Sequence, residues 1–171
     1  EAWPELSVAE WAGTRDTLQL WTQIVGKVRM VSTPLSNHWW NVPLYVSSRG
    51  LTTSLIPRDG RAFQIDFDLL ADRLDISVSD GTHASMPLVA GPVAGFYAEF
   101  MDRLDHLGLH TTVPTMPVEI LDAIPFDDDT THTMYDGDHA RRFWRLLIQA
   151  DRVFEIFRSR FVGKVSPVHL F

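Results

Sequence analysis

Several patches of this sequence carry side chains able to do chemistry. Between Asp127 and His139 stand Asp127, Asp128, Asp129, His132, Asp136, Asp138 and His139. Carboxylates beside imidazoles bind divalent metals or move protons. The same residues also read as acidic groups at the positive end of a following helix, paired with Arg141 and Arg142. Their spacing fits no metal motif. Next, Arg142, Arg145, Gln149 and Arg152 fall at steps of three, four and three, which places them on one helical face. Guanidinium forks grip carboxylates and phosphates through paired hydrogen bonds. The stripe is therefore either a clamp for an anionic ligand or a set of ion pairs to Asp66, Asp68 or Glu119.

Single residues add to these. Glu119 lies between Val118 and Ile120, an apolar setting that suits a general acid or base, or one half of a structural ion pair. His38-Trp39-Trp40 precedes Tyr45. On a strand, Trp39 and Trp40 point to opposite faces. One then enters the core, and the other joins His38 and Tyr45 to line a pocket or stack on a flat ligand. The plainer alternative is two core tryptophans and a capping histidine. Lys164 follows Gly163 and suits the C-terminal end of a helix. His169 alternates with Val168 and Leu170, so it faces away from them, towards a polar sheet face or a structural partner. The expected proton carriers are His38, Glu119 and His132. The expected ligand-binding residues are Trp39, Trp40, Tyr45, Arg142, Arg145, Arg152, Lys164 and His169.

Much other chemistry has no signature here. Glycine-rich phosphate and dinucleotide loops, Gly-x-Ser-x-Gly and His-Glu-x-x-His do not occur. Asp127-Asp128-Asp129 lacks the alternation and glycine of a calcium loop. No cysteine is present, which excludes disulfides, thiolate catalysis and iron–sulfur clusters. The expectation is a small-molecule ligand and chemistry without a metal or organic cofactor. A net charge of −7 argues against a nucleic-acid partner. No apolar run is long enough for a membrane helix, and Glu1-Ala2-Trp3-Pro4-Glu5-Leu6 has no signal-peptide pattern. The expected compartment is the cytoplasm, and the oligomeric state is left open.

The elements that must position these residues follow from periodicity. Ser7 to Glu10 reads as a capping box. Trp11, Thr14, Leu18, Trp21, Val25 and Val28 then mark one face of a helix over about residues 8–30. Alternation predicts strands at about 39–46, 51–57, 63–68 and 74–79, with turns at Asp59-Gly60 and Asp80-Gly81 and a short strand through Met86-Pro87-Leu88. Gly91-Pro92 opens a second helix, which Gly108 closes. Residues 113–125 hold three prolines and read as extended, a candidate edge strand. A third helix starts near Asp138, with Phe143, Leu147, Ala150, Phe154, Phe157 and Phe161 as its apolar face. Val165 to Phe171 looks like the start of a strand. The fold class expected is α+β, an antiparallel meander of four to six strands packed by about three helices. With an apolar fraction of 45% over 171 residues, one domain is expected.

A set of blocks carries a family resemblance: Trp3-Pro4-Glu5-Leu6, Leu20-Trp21-Thr22-Gln23-Ile24-Val25-Gly26-Lys27, Asn37-His38-Trp39-Trp40-Asn41-Val42-Pro43-Leu44-Tyr45-Val46 and Arg49-Gly50-Leu51-Thr52-Thr53. Met116-Pro117-Val118-Glu119-Ile120, Arg142-Phe143-Trp144-Arg145, Asp151-Arg152-Val153 and the run from Phe161 to His169 complete it. Together they resemble a bacterial family catalogued as domain of unknown function 5996. The resemblance spans nearly the whole chain and implies no established activity. Family members often have His where this chain has Asn41. They also continue past the Pro-Val-His block, so the expectation is either a short member of the family or a fragment, the N-terminal part of a longer architecture.

On this reading the polar side chains converge on one cleft. The function expected is a small-molecule-binding domain, or a cofactor-free enzyme acting on a polar or anionic metabolite through a His/Glu/Arg pocket. The alternative is a non-catalytic interaction domain using exposed aromatic surface.

Overall fold

Three- and four-residue apolar spacing produces a long first helix, α1, Val8–Ser32. Ser7 is its N-cap, but the expected capping box does not form, since the Ser7 side chain makes no cap hydrogen bond. The Trp11 N–H donates to the Ser7 carbonyl instead. The computed structural model describes residues 2–170. Glu1 and Phe171, the latter the end of the expected terminal strand, lie outside the described residues.

The expected strand at about 39–46 is mostly absent. Asn37–Trp39 forms a 3-10 turn. His38 and Trp39 take left-handed backbone angles, φ 55° and 59°, which end any extended run. The buried Asn41 carboxamide fixes this turn, accepting from the Ser36 N–H and donating to the Thr33 hydroxyl. Pro43 brings no N–H for a ladder, and the strand β1 covers only Tyr45–Val46. Trp39 and Trp40 are therefore not on opposite faces of a strand.

Among the described residues, six antiparallel strands make one sheet. They are β1, β2 (Gly50–Thr52), β3 (Ile56–Arg58), β4 (Arg61–Asp68), β5 (Arg73–Val78) and β6 (His83–Pro87). The order is β1-β2-β4-β5-β6, and β3 also pairs with β4. The single strand expected at 51–57 is thus split in two. At the break Ser54 has φ 57°, and the Thr53 hydroxyl accepts the Ile65 N–H in place of a ladder carbonyl. Gly50 is required where β2 begins: a Cβ there would lie 1.9 Å from the Phe67 carbonyl oxygen.

The alternation along β4 and β5 sends Phe63, Ile65, Phe67, Leu74, Ile76 and Val78 inward, where all are buried. They meet Leu18, Trp21, Ile24, Val25 and Val28 of α1. Phe96, Phe100 and Leu104 come from α2, Val93–His106. Each fully buried side chain of this kind contributes roughly 1.5–3 kcal/mol. Gly108 closes α2 as expected, with φ 68°. Residues 113–125 contain no strand. They run as a loop with prolines at three positions, where no N–H is available for a ladder.

The third helix, α3, is Gly137–Arg158. Its N-cap is Asp136, not Asp138: the Asp136 carboxylate accepts the Asp138 and His139 N–H groups at 2.8 and 3.1 Å. The His139 amide bond in particular holds that carboxyl below its ordinary pKa. Arg141 ties the start of the helix to Asp72 at 2.7 Å, and Trp144 donates its indole N–H to the Ser47 carbonyl. The second half of α3 stands clear of the core. Phe154, Phe157 and Phe161, expected on a buried face, are 56%, 76% and 57% exposed. Among the described residues no helix is long and apolar enough to cross a membrane.

Candidate functional site

The first helix is covered on two sides. Its core face lies on the sheet. On the opposite face run Gln19, Thr22, Gln23, Gly26, Lys27 and Met30, at steps of three, one, three, one and three. Two segments cross that outer face: Val42, Pro43 and Leu44 on one side, Val118 and Glu119 on the other. Leu170 joins the first through an isolated antiparallel bridge to Leu44. The cover is incomplete, and a cavity of about 220 Å³ remains beneath it. A second hollow of about 300 Å³ shares Gln19, Thr22 and Leu170 and extends the space to Trp11 and Phe143, whose rings lie 4.8 Å apart.

Local bonding fixes the walls. The Gln23 carboxamide donates to the Val118 carbonyl and accepts the Val118 N–H, both at 2.9 Å. This two-way clamp holds the next residue, Glu119, in left-handed backbone with φ 58°. A non-glycine residue in that region is strained by about 1–3 kcal/mol, so its surroundings must hold it there. Arg29 leaves α1 on the other side of the 42–44 segment. It donates to the Pro43 carbonyl, and its guanidinium lies 5.3 Å from the Tyr45 ring centre.

Lys27 is the unusual member of the cavity lining. The residue is only 8% exposed. Among the described residues it has no carboxylate and no hydrogen-bond acceptor; its ammonium lies 5.9 Å from the centre of the Phe126 ring. Burial lowers its pKa from the ordinary 10.5. The nitrogen itself is not among the fully enclosed unpaired atoms, so its desolvation is partial, and without an anion in contact that still carries a cost. Met30, Val42, Pro43, Leu44, Val118 and Leu170 make the rest of the wall largely apolar. The arrangement suits a compact ligand with an apolar body and an oxygen acceptor reaching Lys27.

The residues singled out from sequence do not converge. Glu119 alone lines the cavity, at its exposed rim rather than in an apolar interior. His38 sits in the exposed turn, 5.6 Å from the Trp40 ring, and Trp39 is 52% exposed. His132 faces elsewhere. Its Nδ1 lies 2.7 Å from the fully buried Asp129 carboxylate, which also accepts the Thr131 and His132 N–H groups. This pair organises the loop against the start of α2, where the His132 and Asp129 carbonyls receive the Val93 and Ala94 N–H groups.

Arg142, Arg145 and Arg152 are exposed on α3. Arg142 reaches the Glu5 carbonyl at 3.5 Å and Arg152 the Gln149 side chain at 3.3 Å. The pairs to Asp66, Asp68 and Glu119 do not form: Asp68 takes Arg49 at 2.6 Å. Lys164 is exposed and caps nothing, because α3 ends at Arg158, well before it. Tyr45 and His169 do meet, edge to face, with ring centroids 6.1 Å apart. His169 thus packs beside Tyr45 rather than on the polar sheet face. Burial and the nearby Arg29 charge lower its pKa. On that polar face Asp66 and Asp75 stand opposite one another, and Arg73, Gln64 and Ser85 offset the like charges. No three metal-ligating side chains come together among the described residues.

Lys27 escapes a reading of the sequence because a polar helix face ordinarily reads as solvated. One signal is present. From Gln19 to Met30 the outer stripe carries Gln, Thr, Gly and Met, and Lys27 is its only charge. A solvated face is usually richer in charge.

Fold and site together define a class: an α+β protein whose first helix is roofed by two crossing segments over a lysine-bearing hollow. The chain belongs to the family of unknown function DUF5996, whose model matches residues 3–171. No curated protein and no solved structure matches it.

Proposed function

We propose that the chain binds a small organic molecule in the hollow on the outer face of α1. One observation carries this reading: Lys27, only 8% exposed, lines a largely apolar hollow and makes no ion pair or side-chain hydrogen bond among the described residues. A ligand oxygen there would relieve the desolvation of the ammonium. The volume, at ~30 Å³ per water, equals about seven waters, which suits a ligand of roughly that many non-hydrogen atoms. The adjoining hollow gives an apolar arm room to extend towards Trp11 and Phe143. The His/Glu/Arg pocket expected from sequence contributes only Glu119 to this site.

The test is a thermal-shift and ligand-observed NMR screen with hexanoate, hexanal and pyruvate. The reading predicts binding of at least one probe, weakened about tenfold or more by Lys27→Met. That factor corresponds to one charge-assisted hydrogen bond of about 1.5–3 kcal/mol. Absence of binding by all three probes, or equal binding by the variant, refutes it.

A second reading is favoured by the free half of α3. Val153, Phe154, Ile156, Phe157 and Phe161 are 44–76% exposed, leaving on the order of 500 Å² of apolar surface. The occupant that fits is a second copy of this chain. Asp151 and Glu155 precede Arg158, the last residue of α3, and Arg160 just past its end, so two-fold antiparallel pairing sets acids against bases. With its flanking charged rim the patch approaches the ~800 Å² per partner of a standard interface. Light scattering at micromolar concentration tests this, with Phe157→Asp as control. A monomeric wild type sinks the pairing and leaves the face to another chain or to further residues of the same one.

A further inference from the structure

The geometry points to Lys27 as an amine nucleophile that condenses with a neutral aldehyde or ketone held in the α1 hollow. This rests on the ligand-binding reading above and deepens it by naming the ligand class and the reaction. Three observations favour a carbonyl compound over a carboxylate. First, Lys27 is buried without an acid in contact. A lysine kept in ion pairs is a permanent ammonium, whereas a desolvated one yields free amine. Secondly, Glu119 lines the same cavity without meeting Lys27 in an ion pair. Its carboxylate disfavours a second carboxylate in so small a space. Thirdly, the Gln23 clamp and the left-handed φ fix Glu119 at the rim, where a proton carrier for the condensation is needed.

The charges facing Lys27 are few. Glu119 lines the same cavity and the Phe126 ring lies 5.9 Å from the nitrogen. Burial lowers the Lys27 pKa. Arg29, two residues on, leaves α1 on the far side of the 42–44 segment.

The step balances without an oxidant or reductant. The Glu119 carboxylate first takes a proton from the Lys27 ammonium; the nitrogen lone pair then adds to the carbonyl carbon, and the π electrons move to oxygen, which takes a proton from that nitrogen. The carbinolamine then loses its hydroxyl as water, with the proton delivered from Glu119, and the C=N bond of an iminium remains. The apolar walls hold the arm of the carbonyl compound beside the amine.

The chain supplies its own control, since its two lysines are Lys27 and the exposed Lys164. The full-length protein is incubated with hexanal, and separately with pyruvate, in the presence of cyanoborohydride near neutral pH. Intact-mass and peptide analysis then locate the reduced adduct. Hexanal is expected to label Lys27 at least tenfold faster than Lys164, and pyruvate to label it more slowly than hexanal. Glu119→Gln should slow labelling by a factor of about a hundred at saturating hexanal, and labelling at the wild-type rate overturns its part as proton carrier. Lys27→Arg, which keeps a cation in place, should abolish selective labelling. Labelling of Lys164 at the rate of Lys27 overturns the inference. Binding of hexanal or hexanoate without trapping at Lys27 also overturns it but leaves the ligand-binding reading intact. Neither binding nor trapping removes both.

Discussion

Replacing Lys27 with Met should make the protein more stable. The Lys27 stem already packs in a site that is 8% exposed, and Met follows nearly the same path with similar volume. The substitution removes an ammonium that burial disfavours. It also removes the attraction to the Phe126 ring at 5.9 Å, a contact contributing about 0.5–2 kcal/mol depending on desolvation. Exchanging buried charge for well-packed apolar groups commonly gains 1–4 kcal/mol. The ammonium is not fully enclosed, so solvent screening discounts that figure and the net gain is roughly 1 kcal/mol. At ~2–4 °C per kcal/mol for a chain of this size, the midpoint should rise by about 2–4 °C. The pH dependence has a definite sign. The folded-state pKa of Lys27 lies below the unfolded 10.5, so the wild type carries the full penalty at pH below the folded value. It loses that penalty as pH rises towards 10.5. The advantage of Lys27→Met should therefore be greatest at neutral pH and fade in alkaline buffer. Urea titration and calorimetry across that range measure it. A variant destabilised by more than about 1 kcal/mol, or an advantage that persists undiminished above pH 10.5, would refute the picture of an uncompensated buried ammonium.

Gln23→Leu should lose both bonds to Val118, costing about 1–3 kcal/mol and speeding amide exchange at residues 118–120; unchanged exchange would mean the loop is held by something else. Asp68 is buried, which alone would raise its pKa, yet the Arg49 bond and the Ala71 and Leu70 amides bring it below 3.8. Asp68→Asn should cost about 1–2 kcal/mol at neutral pH, and the gap should close as pH falls below 3.8, because the wild type loses its carboxylate through the lowered folded value; denaturant curves at pH 7 and pH 3 check this. Ile65→Ala, at a position with no exposed surface, should lose about 2–5 kcal/mol by the same measurement, and a loss under about 1 kcal/mol would contradict the packing of β4 into the common core.

Periodicity carries most of the architecture. The three helices appear where three- and four-residue spacing places them, and β4 and β5 follow from Phe63–Ile65–Phe67 and Leu74–Ile76–Val78. The departures have local causes. The run Trp39 to Val46 alternates like a strand, but the Asn41 carboxamide and the left-handed His38 and Trp39 favour a turn, a competition alternation cannot register. Asp138 reads as an N-cap two residues too late because Asp136 is equally capable. The phenylalanines of α3 have regular helical spacing, yet spacing does not say whether a partner surface exists. The site is hardest to read. Its members come from residues 19–30, 42–44, 118–119 and 170, and no local pattern links stretches so far apart. Glu119 is legible as a carboxyl among apolar neighbours; Lys27 is hidden because helical polar faces are ordinarily wet.

The join between Leu44 and Leu170 bears on how anything enters the hollow. It consists of two hydrogen bonds, of 3.0 and 2.8 Å, outside any ladder, whereas β4 and β5 are zipped through six consecutive pairs. Such a latch can break while the main sheet stays intact. Breathing there would spread the rims of the chamber and give a ligand passage without global unfolding. Traffic in and out would then be timed by that fastening, so strengthening it should slow capture and release alike while leaving affinity nearly unchanged.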